Sequence, residues 1–244
     1  MFKGKKILCI IPARKNSKGI KNKNIQKING KPLIFFPIST SLKSKFVDRT
    51  IFFSDSKNYQ KLAIKFGAES PFIRSKNLSR DKSLTFDVLK DVLFRLKKHK
   101  IFYDIVVLLE PTSPFTTSKD IDKAIKIIVD KKFTSLVSVV DSSKFSINFQ
   151  FKKSKNNMIK PLKSKNIHKR RQDVEKTHVL EGSIYISYVK DFLKNRGFVS
   201  NKTYWYELSK WKSIEIDDQN DLMLTRILYK LKKWNLKTKL HKDY

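Results

Sequence analysis

Apolar residues in this chain fall into short unbroken runs, separated by longer stretches in which they recur every three or four positions. Ile7 to Ile11 is one such run; it reads as a buried strand and stops at Pro12-Ala13-Arg14. Thr50 to Phe53 is strand-like and breaks at Ser54-Asp55-Ser56, after which Tyr59, Leu62, Ala63 and Phe66 follow helical spacing as far as Gly67. Thr85 to Lys98 predicts a helix with Phe86, Leu89, Val92, Leu93 and Leu96 along one side. Ile105 to Leu109 is another compact run, closed by Glu110-Pro111-Thr112-Ser113-Pro114. Ser118 to Lys131 then resumes the helical period through Ile121, Ala124, Ile125 and Ile128. Alternating strand and helix predict an α/β fold, a mostly parallel sheet flanked by helices, with ligands at the carboxyl ends of the strands. The loops after Ile11, Phe53 and Leu109 fall at such ends.

Past Ser135-Leu136-Val137-Ser138-Val139-Val140 the pattern changes. Residues 142–181 are polar and basic, with a short alternating stretch from Ser146 to Phe151, and read as a hairpin-like excursion from the sheet. The core resumes at Gly182-Ser183-Ile184-Tyr185-Ile186. In Ser213-Ile214-Glu215-Ile216-Asp217-Asp218 the carboxylates at 215 and 217 alternate as on one side of a strand. A closing helix is expected to pack through Leu222, Ile227, Leu228 and Leu231. The organisation is thus a core of 1–141 and 182–236, a small excursion of 142–181 and a frayed tail of 237–244.

Composition bounds this picture more than it changes it. With 244 residues, 40% hydrophobic and 18 Phe, the chain can bury one substantial core. The formal charge of +32 points first to nucleic acid, but the lysines are spread along the whole length and form no arm or stripe, which argues against such a partner. The single cysteine, Cys9, lies in the first apolar run; it excludes an internal disulfide and a cysteine-based zinc site, and reads as buried filler. No run reaches membrane-spanning length, and the N-terminal apolar stretch is too short for a signal peptide. A soluble, cytoplasmic protein is expected.

Chemistry concentrates in the first loop. Arg14, Lys15, Ser17, Lys18, Gly19 and Lys21 bring charge, directed N–H donors, a hydroxyl and a residue without a Cβ, which suits a polyphosphate. A solvated turn in a lysine-rich protein would look the same. Glu215 and Asp217 could hold a hard cation or simply precede a helix capped by Asp218. Tyr185 could face a ligand or pack in a strand. His168 and His178 have no partner in sequence that would make either an acid or base.

Taken in order, Ile11-Pro12-Ala13-Arg14, Ser17-Lys18-Gly19, Lys23-Asn24-Ile25 and Asn29-Gly30-Lys31-Pro32-Leu33 resemble the signature of the acylneuraminate cytidylyltransferases, which activate nonulosonic acids with CTP. Ser54-Asp55, Arg74 with Leu78 and Asp81, Pro111-Thr112-Ser113-Pro114, Arg171-Gln172, Gly182 to Tyr185 and Ile214 to Asp217 continue the likeness over roughly residues 5–230. The resemblance implies a Rossmann-like nucleotidyltransferase sheet and attack of a sugar's anomeric hydroxyl on the α-phosphorus of CTP, releasing pyrophosphate with Mg2+. It puts Ala13, Arg14, Ser17, Lys18, Lys23 and Asn24 on the nucleotide, Arg74 near the cytosine, and Asp81 of the neighbouring loop among the nucleotide-binding residues. Among these, Arg14, Lys18 and Lys23, with Asp217, carry the catalysis. Glu215 and Asp217 match the magnesium ligands; Glu110, Arg171, Gln172 and Tyr185 match acceptor positions. It also implies a homodimer in which the excursion of one subunit closes the acceptor site of the other. Related Kdo cytidylyltransferases share the opening strand but typically carry Lys-Pro where this chain has Lys23-Asn24. The alternatives are therefore a Kdo enzyme or a catalytically silent basic paralogue.

Several positions depart from the pattern. Glu110 stands where Gln is common, Phe115-Thr116 follows the Pro-Thr-Ser-Pro motif, and Val179 and Glu181 replace a basic residue and an Asn, while Glu215 replaces Asp. These changes bear on the identity of the sugar more than on the nucleotide chemistry. A legionaminate-like or pseudaminate-like acceptor is as consistent with them as sialic acid.

Overall fold

The computed structural model describes residues 1–162 and 170–238, with only the backbone described for Asn157, Arg171 and 232–238. Its strands are β1 Ile7–Pro12, β2 Lys27–Ile28, β3 Lys31–Pro32, β4 Arg49–Phe53, β5 Ile105–Leu108, β6 Ser135–Asp141, β7 Phe151–Lys153, β8 Ile159–Pro161, β9 His178–Tyr188 and β10 Thr203–Glu207. The helices are α1 Phe35–Leu42, α2 Lys57–Lys65, α3 Thr85–Lys98, α4 Ser118–Asp130, α5 Val189–Asn195 and α6 Gln219–Thr238. One sheet runs in the order β10-β6-β9-β5-β1-β4, with β9 antiparallel to both neighbours and the remaining pairs parallel.

The sequence pattern explains this layering. β1 lies between β4 and β5 with Ile7 to Ile11 each 0% exposed, so both of its faces are covered and its run is continuously apolar. Ile7, Cys9 and Ile11 face α1, α2 and α4 through Ile38, Ala63 and Ile121. Leu8 and Ile10 face α3 and α5 through Leu89, Val92 and Phe192. Cys9 is filler, as expected; burial pushes its thiol up to about 12. Helix starts are capped locally: Ser56 accepts from the Tyr59 N–H, and Thr117 with Asp120 forms a capping box at α4.

Three sequence expectations need correction. Residues 213–217 are extended coil and not a strand, since the only ladder-like contact recorded is the Ile216 N–H donating to the Thr112 carbonyl at 3.0 Å. In α6, Leu222 is buried in a small cluster with Ile20, Ile28, Phe36 and Ile216, but Ile227 and Leu231 are exposed. The sheet also extends into the segment read as excursion: β9 begins at His178, where it pairs with Asp141, so 178–180 belong to the sheet, although Val179 and Leu180 are exposed. β7 and β8 form an antiparallel hairpin within the rest of that segment. His168 and most of the tail from 237 onward lie outside the described residues.

Candidate active site

At the carboxyl ends of β1 and β5 the chain encloses a cleft of about 380 Å³. The register sets its position, because Pro12 stands beside Phe53 and Ile10 beside Leu108, so the loops leaving these strands emerge together. The Ala13 N–H donates to the Phe53 carbonyl and the Lys15 N–H to Asp55 Oδ1 at 2.8 Å, which fastens the first loop over the end of β4. Asn24, 6% exposed, donates through Nδ2 to the Arg14 carbonyl at 2.9 Å and ties the far end of that loop back to its start.

One end of the cleft is cationic. Arg14, Ser17, Lys18, Lys23, Asn24 and Arg74 all line it, as the sequence suggested. Arg74 is buried and donates to the Leu78 carbonyl; burial lowers its pKa. Asp81 accepts from the Arg14 guanidinium and pairs with Lys18 Nζ at 2.9 Å, and Lys18 and then Arg14 hold its carboxyl below the usual range. Arg80 also lines the cleft. It was missed in the sequence, where one more cation among 54 Lys and Arg carries no signal.

The other end is acidic. Lys23 Nζ donates to the Ile216 carbonyl at 2.8 Å and to Asp217 Oδ1 at 3.0 Å, and so joins the two ends. Glu110 lines the cleft beside Thr112 and Asp217. Its burial, with the charge of Glu215 and against the pull of Lys23, pushes its pKa up to about 7. Glu215 accepts from Thr112 Oγ1 at 3.2 Å; burial and Asp217 raise its pKa. Glu181, 6% exposed, does not line the cleft; burial raises its pKa too.

Two glycines hold the acidic segment in place. A Cβ on Gly19 would run into the Asp217 carbonyl, and one on Gly182 would lie 2.7 Å from Glu215 Oε1. The role of Gly19 is thus to admit the 215–217 segment; room for a phosphate is not what the contact shows. Gly182 sits where β6 and β9 shift register between Val137 and Val139. There the Ile184 N–H donates to Ser138 Oγ at 2.8 Å, a local irregularity of the kind found beside functional sites.

Of the remaining sequence candidates, Tyr185 does not line the cleft and packs in its strand against the core. Its ring packs on Phe198 at 5.5 Å, and burial, then the charges of Glu110, Glu215 and Glu181, raises its pKa. Gln172 is exposed and does not line the cleft, and Arg171 is placed only as backbone in a short 3-10 turn. Val179 is exposed, whereas Glu181 is buried. His178 packs on Trp205, with its Nε2 3.6 Å from Glu207, at a different part of the sheet.

Glu215 and Asp217 offer hard oxygen donors beside a cleft whose cationic side chains suit a polyphosphate, and they fit a Mg2+ that keeps waters and shares phosphate oxygens. Among the described residues no group of three or more His, Cys, Asp or Glu converges to hold a metal by itself. No described helix is long and apolar enough to cross a membrane.

In this α/β fold a cationic loop after the first strand shares one cleft with Asp217 from near the end of the chain. The model of the cytidylyltransferase family matches residues 8–234, and the chain belongs to that family. It is 34% identical over 232 residues to a CMP-N,N'-diacetyllegionaminic acid synthase of Legionella pneumophila, covering 93% of this chain and 97% of the relative. It is 30% identical over 226 residues to a pseudaminic acid cytidylyltransferase of Campylobacter jejuni, covering 93% and 97%. Among solved structures, a CMP:2-keto-3-deoxy-manno-octonic acid synthetase complexed with CTP superposes with a TM-score of 0.68 at 18% identity, over 93% of this chain and 99% of the other. That likeness supports the fold.

Proposed function

We propose that the protein transfers CMP from CTP to the anomeric hydroxyl of a nonulosonic acid, releasing pyrophosphate. The observation that carries this reading is the division of one cleft into a cationic end and an acidic end bridged by Lys23. Full-length similarity to the Legionella and Campylobacter enzymes supports it. In the reaction the sugar oxygen bonds to the α-phosphorus, the bond to the β-phosphate breaks, and the hydroxyl proton leaves.

Arg14, Lys18 and Lys23 bind the triphosphate, and binding requires Asp81 to release the two cations it holds. Asn24 keeps the loop closed on the nucleotide, and Arg74 lies where a base could be read. Lys23 also positions Asp217. Glu215 and Asp217 would hold Mg2+, which when bound supplies charge neutralisation on the phosphates. Fixed positive charge aimed at the phosphates is the main catalytic contribution expected of this chain's own side chains.

The excursion exposes Phe145, Phe151, Met158 and Ile159, and Val179 and Leu180 beside it are half exposed. Such an apolar surface supports a homodimer. Sedimentation equilibrium is expected to give twice the monomer mass, and a fully active monomer would remove this part of the reading.

The test is to incubate the protein with CTP, Mg2+ and a panel of nonulosonic acids plus Kdo, following pyrophosphate and identifying products by mass. A CMP-nonulosonate is expected. A product with Kdo alone would reassign the acceptor, and failure of CTP to bind would end the enzyme reading.

A further inference from the structure

Among the described residues five cationic side chains line the cleft: Arg14, Lys18, Lys23, Arg74 and Arg80. Four of them already have partners within the chain. Arg14 and Lys18 share Asp81, and Lys23 holds Asp217 and the Ile216 carbonyl. Arg74 turns its Nε and one terminal nitrogen onto the Leu78 carbonyl. Arg80 is exposed, and no hydrogen bond or ion pair of its side chain is recorded among the described residues.

The segment that carries Arg80 is held by its own hydrogen bonds. Asn77–Ser79 forms a 3-10 turn, and the Ser83 N–H donates to the Arg80 carbonyl at 3.0 Å. Ser83 Oγ donates to the Asn77 carbonyl and Ser79 Oγ to the Ser75 carbonyl, each at 2.9 Å. The backbone at Arg80 is thus fixed at the edge of the cleft while its guanidinium is uncommitted. Its neighbour Asp81 reaches Arg14 and Lys18, which sets Arg80 beside the cations of the first loop.

Charge decides what such a residue does. A triphosphate that takes Arg14 and Lys18 draws them from Asp81 and then lies next to that carboxylate. An exchange of exposed partners gains little net attraction. A guanidinium with no partner to give up brings its whole charge and its fork of donors to the phosphate oxygens, and it offsets the repulsion from Asp81. In the proposed transfer the α-phosphorus reacts where the cationic and acidic ends meet, at Lys23 and Asp217. The part of the triphosphate left for the Asp81 side is the pyrophosphate. When the bond from the α-phosphorus to the bridging oxygen breaks, the electron pair stays on the pyrophosphate, and a cation there neutralises the growing charge.

We infer that Arg80 binds the β- and γ-phosphates of CTP, the part of the nucleotide that leaves. This rests on the proposed transfer of CMP from CTP.

The experiment titrates CTP, CMP and inorganic pyrophosphate into the unaltered protein, Arg80→Ala, Arg80→Lys and Lys82→Ala in a calorimeter, with circular dichroism for each and KM values for CTP and sugar. Lys82 is the control, a neighbouring exposed cation that does not line the cleft. Arg80→Ala is expected to weaken CTP and pyrophosphate by about 5- to 20-fold and to leave CMP and the sugar's KM within about 2-fold. Arg80→Lys, which keeps the charge without the fork, is expected to fall between, and Lys82→Ala to stay within about 2-fold for every ligand. Equal weakening of CTP and CMP would put Arg80 on the nucleoside, and a change confined to the sugar's KM would put it on the acceptor; either overturns the inference. So does a loss in Lys82→Ala as large as in Arg80→Ala, which would reduce the effect to overall charge. The expected binding pattern without transfer to any sugar would support Arg80's contact and overturn only the proposed transfer, whereas an unaltered protein that binds no CTP would overturn both.

Discussion

The two ends of the cleft are built on opposite terms. At the cationic end Asp81 already pairs with Arg14 and Lys18, and Asp217 with Lys23, and the carboxylates of these pairs are 46% and 74% exposed. Toward the acidic end Glu110 lines the cleft, while Glu181 and Glu215 do not and accept from Ser183 and Thr112, and burial raises the pKa of all three. Exposed ion pairs contribute little stability and exchange readily, which suits a site that must admit and release a polyanion. Buried carboxylates are costly until satisfied, which suits recognition of a ligand that brings the right donors. The two ends thus differ in how freely their charges can exchange partners.

Removing charge from the bridge between the ends should have the largest effect. Lys23→Ala is expected to lower turnover by about 100-fold or more, measured by pyrophosphate release at saturating CTP. A loss below about 3-fold would detach Lys23 from the chemistry.

Next come the glycines that hold the acidic segment. Gly182→Ala must displace the Glu215 carboxylate and Gly19→Ala the backbone at Asp217. Both are expected to weaken Mn2+ binding, read by paramagnetic resonance in the presence of CTP, by about 10-fold. Unchanged Mn2+ affinity in folded variants would show that these contacts do not position the segment.

How far the sequence carried differs between the two ends as well. Helix α3 was legible to the residue because a single amphipathic period runs through it, and β1 because both of its faces are buried. The first loop was legible because its residues are contiguous. The acidic end was not: Glu181 and Gly182 owe their places to an irregular pairing of β6 with β9, and nothing local in sequence marks a shift of register. Glu215 and Asp217 alternate as a strand would, but no neighbouring strand is there to pair them. β10, with Tyr204 and Tyr206 alternating toward the core, passed unread because it lies between stretches rich in Lys and Ser.

A smaller effect concerns stability and pH. Glu110 has its folded-state pKa raised to about 7 from an ordinary 4.5, so between these values the folded protein keeps a proton that the unfolded chain has lost. Stability therefore falls as pH rises through that window, and the full penalty is present above pH 7. Glu110→Gln lacks this penalty. Its thermal midpoint is expected to match the unaltered protein near pH 4 and to exceed it at pH 8, by on the order of 2 kcal/mol or about 5 °C. A variant less stable at pH 8 would contradict the buried environment assigned to Glu110.

Smallest of all is the effect of the competing anion. Asp81→Asn frees Arg14 and Lys18 and is expected to tighten CTP binding by about 2- to 5-fold at low salt, with the gain fading as salt is added. Weaker binding would make Asp81 a direct part of the nucleotide site.

The division between the ends is tested most directly by titrating CTP into the unaltered protein, Arg14→Ala and Glu110→Gln side by side in a calorimeter. The account predicts that Arg14→Ala weakens binding by about 10- to 100-fold, while Glu110→Gln binds CTP as well as the unaltered protein or more tightly. Equal weakening by both substitutions, or none by Arg14→Ala, would contradict a cleft with separate nucleotide and acceptor ends.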